Sequence, residues 1–202
     1  TVGRDRSIRL IQEVYRGNKT LGVASQKDGT IEDPRVEDLN KVGTIATIIR
    51  MLRMPDGSTT AIIQGKKRFE IIEVVKTDPY FTASVKEFTE QRPAKGDKTF
   101  EALVSSLKDL AIQIIKASPN IPTEAGFAIK NIDSPSFLVN FISSNMNAEV
   151  AEKQKMLEVA DLRERANLLL AYLTKELQML EMKNEIQSKV RTEVDRQQRE
   201  YF

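Results

Sequence analysis

The amino-acid sequence predicts an α+β fold: a β-rich, pseudo-barrel-like domain, then a helical subdomain that ends in one long projecting α-helix. Three observations support this prediction. Residues 1–90 contain short runs of β-branched and apolar residues, and turn signals separate these runs. After a polar linker over residues 91–98, apolar residues recur with the helical period of about 3.6 instead of two. Beyond Pro135 the chain has neither glycine nor proline, as an uninterrupted helix requires.

The β-rich domain, predicted over residues 1–90, opens with a short amphipathic helix over residues 5–16 that Gly17 ends. A single-turn helix is expected to start at Asp33-Pro34, because Asp is a good N-cap and Pro suits the first helical position. Met54-Pro55-Asp56-Gly57-Ser58 predicts a tight hairpin turn, and Gly65 is expected to break the returning strand. The predicted strands are residues 20–25, 44–54, 59–64, 68–75 and 81–88.

The helical subdomain is predicted over residues 99–160. Its first helix has a wide apolar face, formed by residues 100, 103, 104, 107, 110, 111, 114 and 115. Pro119 and Pro122 end this helix and start a brief second one that runs through Ile129. Ser134-Pro135 is typical of the N-cap and first position of another helix. We expect these helices to pack on the first half of the long helix.

The long helix is predicted over residues 161–202, with Asp161 and Glu164 forming a capping box at its start. Its length would be about 60 Å at 1.5 Å per residue, more than a domain of this size buries. We therefore expect the part up to about Leu180 to pack on the helical subdomain, and the part beyond about Lys183 to be exposed or to self-associate. No capping signal ends the helix near Phe202, so we expect it to lead into a further module.

Composition excludes most catalytic chemistry from this chain. It contains no histidine and no cysteine, so the usual general base, the thiol nucleophile and most zinc sites are missing. Lys plus Arg number 31 and Asp plus Glu 29, a net charge of +2 that argues against a constitutive nucleic-acid binder. The apolar run from Leu168 to Leu173 is far too short to span a membrane. We expect no catalytic residue, no cofactor site and no metal site here.

In its motifs the chain resembles the amino-terminal region of the Lon family of ATP-dependent proteases. The matching segments keep the same order from one end of the chain to the other. They are Val2-Gly3-Arg4-Asp5-Arg6-Ser7-Ile8, Gln26-Lys27-Asp28 leading to Glu32-Asp33-Pro34, Val42-Gly43-Thr44-Ile45-Ala46, Arg53-Met54-Pro55-Asp56-Gly57, Gly65 with Arg68, Lys155-Met156-Leu157-Glu158, Leu162-Arg163-Glu164-Arg165 and Gln198-Arg199-Glu200-Tyr201-Phe202.

The resemblance implies the substrate-recognition and assembly region of a homohexameric, cytoplasmic, ATP-dependent serine protease that degrades misfolded and regulatory proteins. Its partners would be unfolded or damaged protein substrates and other copies of the same chain. The resemblance implies no binding to a membrane. The ATPase module, which uses ATP and Mg, and the Ser–Lys protease module would follow Phe202. The resemblance therefore implies no catalysis and no cofactor in this chain itself.

Two other functions stay open at this point. The chain could be a structural coiled-coil scaffold if the apolar stripe from Leu162 to Val194 pairs with a second copy of itself. It could also be a nucleic-acid-binding module, because compact β-barrel-like domains often bind RNA and members of the family that it resembles can bind DNA. The balanced charge makes nucleic acid an unexpected partner.

A candidate substrate-binding surface lies near the predicted hairpin turn. The strand before the turn is apolar on both faces: strict alternation directs Ile45, Ile49 and Met51 one way, and Ile48, Leu52 and Met54 the other. A small β-domain cannot easily bury both faces. Methionine suits promiscuous binding, since it is flexible and polarizable. The sequence thus predicts that Met51, Leu52 and Met54 contribute to a weak hydrophobic docking patch; the alternative is that all three pack inside.

Overall fold

The computed structural model describes residues 1–200, and within them it has six α-helices, a 3₁₀ turn and one four-stranded antiparallel sheet. The helices are α1 Asp5–Arg16, α2 Lys98–Ala117, α3 Glu124–Lys130, α4 Pro135–Asn145, α5 Val150–Glu158 and α6 Leu162–Glu200, and the 3₁₀ turn is Val36–Asp38. The strands are β1 Thr20–Val23, β2 Val42–Arg53, β3 Thr59–Lys76 and β4 Thr82–Glu87. The predicted α+β class is confirmed.

The chain divides into two compact units. The first unit combines Thr1–Glu90 with Glu149–Ala160, and the second combines Gln91–Ala148 with the described part of Asp161–Phe202. The sheet belongs to the first unit and the long helix to the second. Tyr201 and Phe202, which the predicted long helix includes, lie outside the described residues.

The sheet is a meander in the order β1-β2-β3-β4, and each strand pairs with the next along the chain. Its best buried aromatic side chain is Phe69, which is 3% exposed. The ring of Phe69 lies against Gly43. A Cβ at Gly43 would come within 2.8 Å of this ring and 2.3 Å of the Val23 carbonyl oxygen, so only glycine lets the two neighbouring strands approach this closely.

Two local predictions in the first unit are wrong. Gly65 does not break the returning strand: β3 is continuous, and Lys66 is an extra residue at a bulge between the pairs Ala46–Gly65 and Ile45–Lys67. The 3₁₀ turn does not start at Asp33-Pro34. It begins two residues later, because the carboxylate of Asp38 accepts a hydrogen bond from its N-cap, the Arg35 N–H, at 2.7 Å.

The segment Glu149–Ala160 packs with the sheet, whereas the sequence-based boundaries place it in the helical subdomain. The side chain of Gln154, which is buried in α5, explains why. Its amide nitrogen donates to the Val42 carbonyl oxygen at 3.0 Å, and its amide oxygen accepts from the Ser25 hydroxyl at 3.0 Å. These two bonds satisfy a buried polar group and fix α5 beside β2.

Arg68 holds the end of the same helix. Its Nη1 atom donates to the carbonyl oxygens of Leu157 and Val159, each at 2.8 Å. Its Nη2 atom lies 3.5 Å from a carboxylate oxygen of Glu90, and its guanidinium is 4.7 Å from the centre of the Phe88 ring. Burial lowers the pKa of Arg68 and the Glu90 carboxylate opposes this effect. A guanidinium therefore caps the C-terminal end of α5.

In the second unit, α2 and α4 pack on the first half of α6, and α3 packs on α2. The side chains of this core are Phe100, Leu107, Ala111, Ile114, Ile115, Ile129, Leu138, Val139, Ile142, Leu162, Ala166, Leu169 and Leu173. The predicted cap residues of α4 and α6 are confirmed: the Ser134 hydroxyl accepts from the Phe137 N–H, and the Asp161 carboxylate from the Glu164 N–H at 2.9 Å. Asp97 caps α2 in the same way and pairs with Arg163 of α6.

The long helix has 39 described residues and is about 58 Å long at 1.5 Å per residue. Its buried residues reach as far as Leu173, and every position from 181 to 200 is exposed. The Asn184 side chain donates to the Ala117 carbonyl oxygen at the end of α2. The predicted division of α6 into a packed part and an exposed part is therefore confirmed. None of the helices within residues 1–200 combines the length and apolarity needed to cross a bilayer.

Candidate functional site

The hairpin of β2 and β3 ends in a well-ordered turn that places the predicted docking residues. The Met54 N–H donates to the Ser58 carbonyl oxygen at 2.8 Å, and Gly57 has the positive φ of 87° that this turn requires. The Asp56 carboxylate accepts from the Ser58 N–H at 2.9 Å and the Ser58 hydroxyl at 2.6 Å. These bonds lower the pKa of Asp56, so the tip of the hairpin carries a negative charge at neutral pH.

A second bulge, at Ile49, decides which way the side chains point. Ile48 pairs with Ile63 and Arg50 with Ile62, which leaves Ile49 as an extra residue of β2. Ile62 and Ile63 are neighbours in an unbroken part of β3, so their side chains lie on opposite faces. Directly paired residues share a face, so Ile48 and Arg50 must also lie on opposite faces.

The alternation predicted for β2 is therefore wrong beyond the bulge. Leu52 and Met54 lie on the face of Arg50, whereas Met51 lies on the face of Ile48, because one extra residue reverses every later side chain. Of the three predicted docking residues, the structure brings Leu52 and Met54 together and separates Met51 from them. Met54 is 41% exposed, while Leu52 and Met51 are half-buried.

The two faces of the hairpin differ in burial. On one face Ile48 is only 1% exposed and belongs to the core of the sheet, although its partner Ile63, nearer the edge of this buried region, is 43% exposed. On the other face Ile62 is 47% exposed and stands opposite the exposed Arg50. We call this second face the Arg50 face; its residues between the bulge and the tip are Arg50, Leu52, Met54, Thr60 and Ile62.

Sequence reasoning missed Ile62 and Arg50 as members of this surface. Alternation along a single strand indicates which residues of that strand share a face. The cross-strand register is needed to tell which residues of the neighbouring strand lie on the same face. The available signal was the hairpin turn, which fixes Arg53 opposite Thr59 and hence Leu52 opposite Thr60. The bulge at Ile49 has no comparable local signature.

The second unit presents a different apolar surface at the end of α6. Five of its side chains are exposed at helical spacing, and we call them the distal stripe: Met179, Met182, Ile186, Val190 and Val194. From Met179 to Val190 the spacing is three, four and four residues, or about 3.67 per turn. This period follows a nearly straight helix and differs from the strict heptad of a left-handed coiled coil.

The described residues contain no group of three or more acidic side chains that could hold a metal ion. In the second unit a cavity of about 230 Å³ lies beside the loop that precedes α2. Its lining includes charges of both signs, Arg92 and Lys95 with Asp97 and Glu101. Ser134, also in the lining, is the N-cap of α4. We assign no chemistry to this cavity.

Solved structures identify the class of fold. The N-terminal domain of the Lon protease from the Mycobacterium avium complex superposes with a TM-score of 0.68 and 20% identity, covering 86% of this chain and 88% of that one. A Lon N-terminal domain protein from Xanthomonas campestris gives a TM-score of 0.56 with 15% identity, covering 85% of this chain and 86% of that one. The chain thus has the fold of a Lon N-terminal domain.

Sequence comparison then identifies the family. The family model of the ATP-dependent protease La (LON) substrate-binding domain matches residues 1–175. The Lon protease of Flavobacterium johnsoniae is 58% identical over 202 residues, and that of Cytophaga hutchinsonii is 48% identical over 202 residues. The chain belongs to the Lon substrate-binding domain family, which confirms the resemblance found in its motifs. Both alignments include 100% of this chain, which spans only 25% of the length of each relative.

Proposed function

We propose that this chain is the substrate-recognition and assembly region of a cytoplasmic, ATP-dependent serine protease, and that it binds unfolded or damaged proteins for degradation. The observation that carries the proposal is the match of residues 1–175 to the Lon substrate-binding family. In this proposal, ATP and Mg bind in the ATPase module of the whole protease and proteolysis occurs in its protease module. The chain itself supplies binding.

The Arg50 face is the proposed docking surface. A protein that recognises unfolded chains needs exposed apolar side chains, because these are what unfolded proteins offer. Met54 and Ile62 supply such side chains on one face of a hairpin whose turn is fixed by hydrogen bonds. Leu52, half-buried on the β2 side between Arg50 and Met54, extends the same surface. Met51 is not part of it, since it lies on the opposite face.

The test compares two neighbouring isoleucines. Ile62→Ser and Ile63→Ser each remove a side chain of similar exposure, 47% and 43%, but on opposite faces of one strand. We expect Ile62→Ser to weaken binding of a permanently unfolded model protein, measured by titration, about threefold to tenfold, as the loss of a partly buried apolar contact implies. Ile63→Ser should bind as the unchanged chain does. Equal binding by both variants, at unchanged melting temperature, would remove the Arg50 face from the proposal.

The distal stripe is the surface proposed for assembly. Its five apolar side chains are exposed along one stretch of α6, and the charges beside it are of both signs, as in the ion pair of Glu185 with Lys189 at 2.7 Å. Two such helices can meet without bringing like charges together. The expected contact is short, because the spacing of the stripe does not keep a heptad seam.

Measurement of mass in solution, with cross-linking, tests this part of the proposal. We expect the chain to associate at high concentration, and Ile186→Lys to shift it towards the monomer by placing a charge in the stripe. Lys183→Ala is the matched control, since it changes an exposed residue of the same segment that is not one of the five. Identical masses for both variants and the unchanged chain at every concentration would count against assembly through the stripe.

We also expect the chain alone neither to hydrolyse ATP nor to cleave a casein-like unfolded protein. The reason is that its sequence contains no complete phosphate-loop motif and that no acidic metal cluster occurs among its described residues. Turnover above a buffer control in either assay would contradict this expectation.

A further inference from the structure

Residues 42–68, the part of the β2–β3 hairpin that includes the turn, carry charges almost all of one sign. Between residues 42 and 68 there is a single acidic side chain, Asp56, and its carboxylate is already hydrogen-bonded within the turn. The basic side chains of the same stretch are Arg50, Arg53, Lys66, Lys67 and Arg68. Residues 42–68 therefore carry a local positive charge although the whole chain is nearly neutral, with a net charge of +2.

Most of these cations are not used inside the protein. Arg68 donates hydrogen bonds to carbonyl oxygens at the end of α5. Lys67 lies 3.3 Å from Glu87, and both of these side chains are exposed. Lys66 donates only to the neutral Gln64 side chain, at 3.0 Å. Arg50 and Arg53 are exposed, and no acidic side chain among residues 1–200 pairs with either of them. Exposed cations without partners leave an electrostatic field that favours an anionic ligand.

The register places part of this charge on the apolar docking surface. Arg50 stands directly opposite Ile62. Thr47 pairs with Gln64, and Ile45 with Lys67, so the same alternation puts Lys67 on the Arg50 face as well. Arg53, two bulge-free pairs beyond Met51, lies on the opposite face. One face thus combines the exposed apolar side chain of Ile62 with the exposed cation Arg50, and Lys67 on the same face is offset by Glu87.

From this juxtaposition we propose that the Arg50 face selects extended polypeptide segments in which acidic residues flank apolar ones. The inference rests on the proposed function and adds a class of substrate to it. In a bound extended segment, neighbouring side chains point to opposite faces, and side chains two residues apart point to the same face. An apolar residue can therefore contact Ile62 while an Asp or Glu two residues away contacts Arg50. Each ion pair is exposed and contributes modestly, and the selectivity falls with salt.

Nucleic acid is the other polyanion that could meet this charge, and the composition of the surface disfavours it. Single strands bind through aromatic side chains that stack on bases, in addition to cations. Residues 42–68 contain no Phe, Tyr or Trp, and Phe69, which follows them, is buried. The exposed side chain opposite Arg50 is the aliphatic Ile62, as suits an apolar polypeptide segment.

The experiment titrates the chain with three peptides that have the same apolar residues, flanked by Glu, by Lys or by Gln. We expect the Glu peptide to bind about threefold to tenfold more tightly than the Lys peptide at low salt, with the difference lost near 0.5 M NaCl. Arg50→Glu should reverse this order, and Arg53→Glu, which changes an equally unpaired arginine on the opposite face, should preserve it. Melting temperatures confirm that both variants fold.

The outcomes separate this inference from the function on which it rests. Equal binding of the Glu, Lys and Gln peptides overturns the charge selectivity and leaves the docking of unfolded protein intact. Failure of all three peptides and of the unfolded model protein overturns the proposed function too. Tighter binding of a mixed-sequence oligonucleotide than of the Glu peptide, weakened by Arg50→Glu, overturns the inference in favour of a nucleic-acid surface.

Discussion

Replacing Arg68 by Met tests how the segment Glu149–Ala160 is held on the sheet. Methionine keeps an apolar stem beside the Phe88 ring but removes the guanidinium that donates to Leu157 and Val159. A hydrogen bond from a charged donor contributes about 1.5–3 kcal/mol, so two of them contribute about 3–6 kcal/mol before water replaces them. The Arg68 side chain is 10% exposed, so some water can reach these carbonyls. We therefore expect a loss of about 3 kcal/mol in the stability of α5 on the sheet.

Amide hydrogen exchange is the suitable assay, since it reports the opening of α5 separately from the unfolding of the sheet. A loss of about 3 kcal/mol corresponds to exchange roughly a hundredfold faster over residues 150–158. In Arg68→Lys the exchange rate over residues 150–158 should lie between those of Arg68→Met and the unchanged chain, because an ammonium can reach one carbonyl but lacks the forked geometry of a guanidinium. Arg53→Met, an exposed arginine of the same sheet, is the control and should change nothing.

Unchanged exchange over residues 150–158 in Arg68→Met would refute this reasoning. It would mean that Gln154 and the apolar side of α5 hold the segment without help from Arg68. A uniform rise in exchange over the whole first unit would refute it differently, since the guanidinium would then support the sheet as much as the helix.

Three further predictions concern the second unit. Leu169→Ala should cost about 2–5 kcal/mol in urea unfolding, because Leu169 is fully buried, whereas Val190→Ala in the exposed part of α6 should cost less than about 0.5 kcal/mol. Asp161→Ala should cost about 1 kcal/mol through the lost cap of α6, and Asp161→Asn much less. The Phe100 N–H, then Arg163, lower the pKa of Asp97, so its contribution to stability is complete above the unfolded value of about 3.9 and is lost as the pH falls through the lower folded value. Asp97→Asn should therefore show a smaller fall in melting temperature between pH 5 and pH 3 than the unchanged chain; an equal fall would contradict this.

Local signals predicted much of the helical structure. The bounds of α1 agree with the prediction at both ends, and the caps at Ser134 and Asp161 act as their positions indicated. Each of these features depends on residues no more than four positions apart, so a single stretch of sequence contains the whole cause. The boundary near Lys183 was also predictable, since a helix about 60 Å long exceeds the core available to it.

Features set by distant partners were not predictable in the same way. The bulges at Ile49 and Lys66 arise from pairing between β2 and β3; Gly65 marks an irregularity next to Lys66, but no local property marks Ile49. The place of α5 depends on bonds from Gln154 to Val42, 112 residues away, and from Arg68 to Leu157 and Val159. For the candidate surface this meant that alternation placed Leu52 and Met54 on the face of Ile48, whereas the extra residue Ile49 puts them on the opposite face and puts Met51 on the face of Ile48.

The two exposed apolar surfaces of the chain differ in charge, and this difference bears on what each can bind. On the Arg50 face Lys67 is paired with Glu87, whereas no acidic side chain among residues 1–200 pairs with Arg50, so two copies that met at Arg50 would bring like charges together. Beside the distal stripe the signs are mixed, with Glu185 paired to Lys189 and Glu193 to Arg196. Like charge disfavours self-association and leaves a surface open to ligands of opposite charge, whereas mixed charge permits two identical helices to meet. The charge pattern thus agrees with the proposed division of roles, in which the Arg50 face binds substrates and the distal stripe binds other copies of the chain.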